Sequence, residues 1–295
     1  LEDYIRIQES KHKIKPDNEA RIVWADSLKS RTRYAVVYLH GFSASQREGD
    51  PVHRRFAREF GCNLYLARLA DHGIDTVESM LNFTADRYWA SVKEALAIGK
   101  VLGDRVIIIS TSTGSTGALM LASRYPQDVY ALINMSPNIE INNPAAFLLN
   151  NPWGLYIARM VMNGNYRTIP YGADRVDYWD GKYRLEAAVQ LQEILEKNMH
   201  EEVFEKVKAP SLTLYYYKSE EEQDPEVKVD AMLKMHNELG TPDSLRFAFA
   251  MPEAGAHVLG CDLTSKDVEG VYSKIENFAV AILGMHRLNV SKSPE

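Results

Sequence analysis

The segment from Val106 to Gly114 constrains the fold of this chain more than any other. It begins with Val-Ile-Ile-Ile, which indicates a buried strand, and continues without a break into the small polar run Ser-Thr-Ser-Thr-Gly. The apolar run from Ala118 to Ala122 follows and is typical of a buried helix. A strand, an abrupt turn of small residues and a helix are the setting of a nucleophile elbow. The segment therefore predicts Ser112 as a nucleophile at the edge of a parallel sheet.

The residues that flank Ser112 test this interpretation. Positions two before and two after an elbow nucleophile crowd each other and must be small, and here they are Ser110 and Gly114. The usual pattern is Gly-x-Ser-x-Gly, so Ser110 stands where the first glycine is expected. Serine and threonine also end strands for local reasons, because their hydroxyls bond nearby backbone. The hypothesis therefore depends on whether catalytic partners follow in the chain.

A serine nucleophile needs a general base, and His257 is the best placed histidine. In hydrolases with an elbow the chain order is serine, acid, histidine. Three histidines follow the acidic stretch near residue 220: His236, His257 and His286. We expect His236 and His286 at the surface, because each lies in a helical pattern. His257 follows a late predicted strand in the small-residue loop Ala-Gly-Ala-His-Val, and we therefore predict it as the base.

The acid that orients the histidine is sought after the strand that begins near Leu212. Five carboxylates follow that strand: Glu220, Glu221, Glu222, Asp224 and Asp230. We select Asp224, because Pro225 fixes a turn beside it and a short aspartate in a fixed turn holds an imidazole well. Glu222 is the second candidate, and the other glutamates are expected to solvate a loop.

Two backbone amides are predicted to form the oxyanion hole. An early buried strand ends in His40-Gly41-Phe42, where Gly41 permits a sharp turn and frees the amide of Phe42. The second donor is the amide of Thr113, which follows the nucleophile at a helix N-terminus. We expect His40 to support this loop rather than take part in the chemistry.

Taken together, these motifs resemble the α/β-hydrolase superfamily, in the branch of the serine carboxylesterases and monoglyceride lipases that includes the serine aminopeptidase S33 type. The resemblance implies the α/β-hydrolase fold, a Ser-His-Asp triad, a small-molecule ester substrate and no cofactor or metal. It covers nearly the whole chain and is carried by His40-Gly41-Phe42, Asp71-His72-Gly73, the elbow from Ser110 to Gly114, Asp224 and His257.

Strands and helices alternate along the chain, which predicts a mostly parallel sheet covered by helices on both faces. The first strand, Arg21 to Ala25, is expected to be antiparallel. The further strands are predicted at Tyr34–Leu39, Asn63–Ala67, Val106–Ser110, Ala131–Met135, Leu212–Tyr217 and Leu245–Met251, and long helices at Asp86–Leu102 and Leu185–Lys197.

The alternation stops between two late strands, where nearly seventy residues intervene instead of one helix. We predict a hydrolase core at residues 1–140 and 209–295, and a mainly helical lid, or cap, at 141–208. This lid is rich in aromatic residues, and we expect them to pack it onto the core or to line an apolar pocket.

Composition excludes several classes of protein. The chain has 295 residues and a net charge of −6, which argues against nucleic acid as a partner. No apolar stretch is long enough to span a bilayer. Two scattered cysteines are too few for a disulfide framework or a zinc site. The ordinary shares of apolar and charged residues, 45% and 25%, predict a soluble protein. Because the chain begins at Leu1, we expect a processed or trimmed product. The compartment stays open: cytoplasmic or, if an export signal was removed, periplasmic or secreted. The oligomeric state also stays open.

Three other functions were weighed against ester hydrolysis. A peptidase or amidase of the same fold could use the same residues, but it must protonate a poorer leaving group. A non-catalytic small-molecule-binding protein on the same scaffold is the second alternative, since a fold does not prove a function. The residues Tyr178 and Lys182 have the spacing seen in short-chain dehydrogenases, but the turn after the first buried strand lacks the glycines that such enzymes need.

Overall fold

The computed structural model describes residues 1–288 and contains one seven-stranded sheet. The strands, in chain order, are β1 (Arg21–Val23), β2 (Thr32–Leu39), β3 (Asn63–Leu66), β4 (Gly103–Thr111), β5 (Val129–Met135), β6 (Tyr166–Thr168), β7 (Lys182–Arg184), β8 (Ser211–Tyr215) and β9 (Arg246–Ala250). The helices are α1 (Glu2–Glu9), α2 (Val52–Glu59), α3 (Ala85–Leu102), α4 (Thr113–Arg124), α5 (Gly154–Val161), α6 (Leu185–Asn198), α7 (Glu201–Phe204), α8 (Val229–Glu238) and α9 (Val268–Ala281).

The order of strands in the sheet is β1-β3-β2-β4-β5-β8-β9. Strand β1 pairs with β3 in the antiparallel sense, and all the other neighbours in this sheet are parallel. The predicted mostly parallel sheet with an antiparallel first strand is therefore confirmed. Because β4 is central, its carboxyl end lies where open α/β sheets bind ligands.

Helices cover both faces of the sheet, as predicted. Alternate residues of one strand enter two different apolar cores, which is the two-residue period of a β-strand. Val37 and Ile108 lie in the core beneath α3 and α4, whereas Val36 and Ile107 lie in the core beneath α2 and α9. Among residues 1–288, none of the helices combines the length and the apolar character that crossing a membrane requires.

The predicted strands and the two long helices are all present, with ends that differ by at most three residues. Helices α1 and α2 were not predicted. In α2 the polar residues outnumber the apolar ones, so only Phe56 and a few small side chains enter the core. A pattern of so few apolar positions is too weak to indicate a helix.

Residues 141–208, which we call the 141–208 segment, connect β5 to β8. They form α5, α6 and α7, as the helical prediction expects, but also a two-stranded antiparallel sheet of β6 and β7. This hairpin was missed because each strand has only three residues, which is too short for an alternating pattern to be recognised.

Candidate active site

Ser112 stands in the strained turn between β4 and α4 that the sequence predicts. Its backbone has φ 52° and ψ −121°, a combination that costs free energy and persists only where the surrounding structure enforces it. The amide of Ser112 donates to the carbonyl of Met135 at 2.9 Å. A Cβ at Gly114 would lie 2.0 Å from the carbonyl oxygen of Leu39, so only glycine fits there. Close contact on both sides therefore holds the turn.

Ser110 fits the position where the usual pattern has glycine. Its side chain is fully buried, and its hydroxyl lies 2.9 Å from the hydroxyl of Ser115 and 3.1 Å from Oδ1 of Asn134. A serine is tolerated because its hydroxyl finds polar partners beneath the turn, so the departure from the pattern leaves the elbow intact.

His257 and Asp224, which lie 33 residues apart, are joined by a hydrogen bond of 2.7 Å between Nδ1 and Oδ2. The other carboxylate oxygen of Asp224 accepts the amides of Glu226 at 2.9 Å and Val227 at 3.1 Å. On the other side, the hydroxyl of Ser136 donates to the carbonyl of His257 at 2.7 Å. These bonds fix both side chains, and they leave Nε2 of His257 as the ring nitrogen away from the aspartate.

One expectation about this region is wrong, and the second candidate for the acid lies apart from any histidine. That candidate, Glu222, is exposed and bonds Lys218 and the hydroxyl of Tyr216. His236, expected at the surface, is buried, and its Nδ1 lies 3.1 Å from the hydroxyl of Thr213 on β8. The helical pattern around His236 is real, but this position of α8 faces the sheet.

The amides of Phe42 and Thr113 have no acceptor among residues 1–288, and both residues line the same cavity as Ser112. His40 supports the first of them, as expected. The amide of Leu69 donates to Nε2 of His40 at 3.0 Å, so Nδ1 carries the hydrogen and donates to the carbonyl of Gly41 at 2.9 Å. Burial lowers the pKa of His40 well below its usual range, which keeps this tautomer neutral.

Glu48 is a residue of the site that sequence analysis missed. Its side chain is 2% exposed and lines the cavity beside Ser112 and His257. Burial raises the pKa of Glu48 to about 7, although the amide of Gly41, the charge of His257 and the hydroxyl of Tyr38 each lower it. The sequence offered no local signal for it, because the residues just before it, from Ser43 to Arg47, are small or polar. A lone glutamate in such a run is ordinarily a surface residue.

Ser112 and His257 line one cavity of about 690 Å³ at the carboxyl edge of the sheet. The side chain of His257 is 12% exposed and Ser112 is 8% exposed, and both residues face this cavity. Within residues 1–288 no hydrogen bond joins Ser112 to His257. The structure thus brings His257 and Asp224 into direct contact and brings Ser112 to the same cavity.

The charge around His257 favours its protonated form. Burial by itself lowers the pKa of His257, but the charge and hydrogen bond of Asp224, and the charges of Glu48 and Glu226, outweigh burial and raise that pKa above its ordinary value. The imidazolium that forms when a histidine accepts a proton is therefore stabilised at this position.

The 141–208 segment contributes most of the apolar side chains of the cavity. It is fastened to the rest of the chain by polar contacts, among them the amide of Asp180 with the carbonyl of Ser43 at 2.7 Å, and Lys15 with the carboxylate of Asp180 at 2.7 Å. The cavity-lining side chains of this segment include Leu148, Leu149, Ile157, Val161, Ile169, Tyr171, Trp179, Tyr183 and Leu191.

Three aromatic residues of this segment contradict the expectation that they pack on the core or line the pocket. Phe147, Trp153 and Tyr156 are 60%, 73% and 64% exposed. Tyr156 lies in α5, Trp153 directly precedes it, and Phe147 lies in the short turn before it. The outer face of α5 also exposes Met160. An apolar side chain in a helical pattern does not reveal which face of the helix the fold covers, and so the sequence could not separate these residues from Trp179.

Solved structures of similar fold are numerous. The chain is similar to a metagenome-derived lipolytic enzyme of the LipS and LipT pair, with 18% identity, a TM-score of 0.71, and coverage of 90% of this chain and 98% of the other. It is similar to a monoacylglycerol lipase from Paleococcus ferrophilus, with 12% identity, a TM-score of 0.65, and coverage of 89% and 98%. The chain is also similar to Est1E from Butyrivibrio proteoclasticus, in a structure with bound ferulic acid. The identity is 16% and the TM-score 0.61, with coverage of 90% of this chain and 95% of Est1E.

No protein-family profile matches the chain, and no curated protein matches it in sequence. The similarity is therefore one of structure, and it agrees with the strand order and the elbow at Ser112. Strand order, helices on both faces and near-complete coverage of these neighbours together show that the chain has the α/β-hydrolase fold, as the sequence predicted.

Proposed function

We propose that this protein is a serine hydrolase that cleaves a carboxylic ester through an acyl-enzyme intermediate. Ser112 is the nucleophile, His257 the general base and Asp224 the acid that orients it. The observation that carries the proposal is the 2.7 Å bond between His257 and Asp224 at a cavity that also contains the strained Ser112. The names of the structural neighbours, which are lipases and esterases, support the same reaction class.

In the acylation step, Nε2 of His257 removes the proton from the hydroxyl of Ser112 as the oxygen attacks the ester carbonyl. The amides of Phe42 and Thr113 donate to the resulting oxyanion, and removal of one such donor typically costs about 3–4 kcal/mol of transition-state stabilisation. The imidazolium then gives its proton to the leaving alkoxide, and the carbon–oxygen bond of the ester breaks. Asp224 stays ionised and stabilises the imidazolium.

In the deacylation step, water takes the place of the alcohol. His257 removes a proton from that water, which attacks the acyl carbonyl of Ser112. The tetrahedral intermediate then collapses, the bond to Ser112 breaks, and the proton on His257 returns to the serine oxygen. The products are a carboxylic acid, an alcohol and the free enzyme.

The 141–208 segment is proposed to be the cap that selects the substrate. Its apolar side chains line the cavity next to Ser112, and a volume of about 690 Å³ accommodates a ligand of ordinary small-molecule size. Burial of an acyl chain against these side chains provides roughly 0.8 kcal/mol for each methylene group. Esters with a medium-length acyl chain should therefore be better substrates than acetates.

Labelling with a fluorophosphonate probe tests the proposal directly. We expect one adduct, mapped by mass spectrometry to Ser112, and no adduct in Ser112→Ala. Ser123 lies on the same helix, outside the cavity, and bonds the carbonyl of Met120. Ser123→Ala is therefore a matched control that should keep the adduct.

The alternatives give different results. Absence of an adduct on folded protein would contradict an activated serine and favour a non-catalytic binding protein. An adduct on Ser112 together with faster turnover of an amide than of the matched ester would instead identify an amidase or peptidase.

A further inference from the structure

Glu48 is a buried carboxylate that the proposed reaction does not use. Oε2 accepts the amide of Gly41 at 2.6 Å and the hydroxyl of Tyr38 at 3.4 Å. Oε1 accepts no hydrogen bond from any residue in the described range 1–288, although the side chain lines the cavity. Oε1 is not among the fully enclosed atoms that lack a partner, so it is open to the cavity. A buried carboxylate that presents one oxygen to a cavity points to a function.

The first contact of Glu48 fixes the loop that carries a proposed oxyanion donor. Gly41 immediately precedes Phe42, so the bond from the amide of Gly41 to Glu48 sets the orientation of the next peptide. A Cβ on Gly41 would lie 2.8 Å from Oε1 of Glu48 and 3.1 Å from Cβ of Ser112. Glycine suits position 41 because the side chains of Glu48 and Ser112 approach its backbone closely, and not only because the turn is sharp.

The carboxylate of Glu48 also lies close to Ser112, because the position that a Cβ of residue 41 would occupy is in close contact with both side chains. Three carboxylates act on His257: Asp224 by direct contact, and Glu48 and Glu226 by charge. Glu226 is exposed, so solvent screens it, whereas Glu48 is buried. The titratable groups that face Glu48 are Tyr38 and His257, and its charge also acts on Tyr171 and Cys261.

We propose that Glu48 is a positioning residue of this active site: it holds the Phe42 amide through Gly41, and its charge acts on His257 in addition to that of Asp224. The inference rests on the proposed function. It assigns two separable effects to one side chain, because the hydrogen bond needs only an oxygen acceptor, whereas the effect on His257 needs the negative charge.

Two variants separate these effects. Glu48→Gln keeps an amide oxygen for Gly41 and removes the charge, and Glu48→Ala removes both. We expect Glu48→Gln to retain the maximal kcat/KM within a few-fold and to shift the acidic limb of its pH profile toward lower pH. Glu48→Ala should show the same shift and lose a further factor of about ten or more, because a displaced oxyanion donor stabilises the transition state poorly.

A titration of His257 by NMR supplies a readout that does not require activity. The Cε1–H signal of His257 is assigned by its loss in His257→Gln and followed against pH in folded wild type, Glu48→Gln and Glu226→Gln. We expect the midpoint to fall in Glu48→Gln and to fall less in Glu226→Gln, since the latter carboxylate is exposed. An unchanged midpoint in Glu48→Gln would overturn the proposed effect of charge.

The outcomes distinguish this inference from the proposed function. If the fluorophosphonate labels Ser112 in wild type but neither Glu48 variant changes the pH profile or the maximal rate, only the inference about Glu48 fails. If wild type is not labelled, the hydrolase function fails, and the His257 titration still reports whether Glu48 acts on this histidine. Should Glu48→Ala not fold, Glu48→Gln alone decides the role of the charge.

Discussion

The elbow at Ser112 and the 141–208 segment line the same cavity but are stabilised by different interactions. Around Ser112 hydrogen bonds between buried groups set the geometry: the Ser112 amide bonds Met135, the flanking Ser110 bonds Ser115, and Asp224 bonds His257. The 141–208 segment presents apolar side chains to the cavity and leaves others, such as Trp153, in solvent. Hydrogen bonds are directional and so fix atomic positions. The stabilisation from apolar contacts depends mainly on how much apolar surface is buried and on how well the surfaces fit.

This difference implies different sensitivity to substitution. A change near Ser112 disrupts a network in which each member holds the next, so its effect on rate or stability should be large. A change on the outer face of the 141–208 segment removes few contacts. The four predictions that follow test this contrast, from the largest expected effect to the smallest.

The largest effect is expected for Asp224→Asn. An asparagine cannot hold the imidazole in the tautomer that accepts a proton at Nε2, and it does not stabilise the imidazolium, so kcat should fall by roughly 10⁴-fold. Steady-state ester hydrolysis measures the change. Glu222→Gln is the matched control because Glu222 is exposed and its carboxylate bonds Lys218 and Tyr216 rather than His257. A normal rate in Asp224→Asn would assign the acid elsewhere.

The second prediction compares two glycines. Gly114→Ala forces a Cβ to within 2.0 Å of the Leu39 carbonyl, whereas a Cβ at Gly164 meets nothing within 4 Å. We expect Gly114→Ala to lower the free energy of unfolding by roughly 3 kcal/mol or more, and Gly164→Ala to change it by no more than about 1 kcal/mol. Urea unfolding measures both. Equal effects would contradict the contrast between the two regions.

The third prediction concerns pH. His257 acts as a base only when neutral, and the carboxylates around it raise its pKa above the ordinary value of 6.5. Activity is therefore lost as the pH falls through this raised pKa. At pH values below the pKa of His257, kcat/KM should increase about tenfold for each unit by which the pH is raised. The midpoint of this acidic limb should lie above pH 6.5. A midpoint below 6.5, measured on the free enzyme, would contradict the effect of these carboxylates.

The smallest effect is expected for Trp153→Ser, at a side chain that is 73% exposed. The free energy of unfolding should change by no more than about 0.5 kcal/mol, as at most surface positions. Trp179→Ala provides the contrast, because Trp179 is 4% exposed and its loss should cost about 3–5 kcal/mol. A large loss of stability in Trp153→Ser would show that this face is covered in solution.

Sequence reasoning succeeded where local pattern and chain order carry the information. The parallel sheet follows from alternating apolar runs, and Ser112 stands at the predicted turn between β4 and α4. The pairing of Asp224 with His257 was inferred from order along the chain and is now observed as a hydrogen bond. Their roles in catalysis remain predictions that the substitutions above test.

The same reasoning failed where a residue's environment depends on distant parts of the chain. Nothing near Glu48 in sequence reveals that the fold buries it between Gly41 and the cavity. His236 lies in a helical pattern and was expected at the surface, yet α8 turns it toward the sheet. Trp153, which directly precedes α5, was expected to be covered, yet it is exposed. Periodicity identifies a face of a helix but does not state what covers that face.

By itself, the sequence determined the order of the strands of the main sheet, the long helices and the sharp turn at Ser112, because apolar periodicity, small residues and turn chemistry act over a few positions. Only the tertiary structure decided which groups meet: His257 with Asp224, Glu48 with the Gly41 amide, and the apolar side chains of residues 141–208 with the cavity. Apart from the contact of Glu48 with Gly41, which spans seven residues, these contacts join residues far apart in the chain, and they form only when the packing of the whole sheet and its helices brings them together.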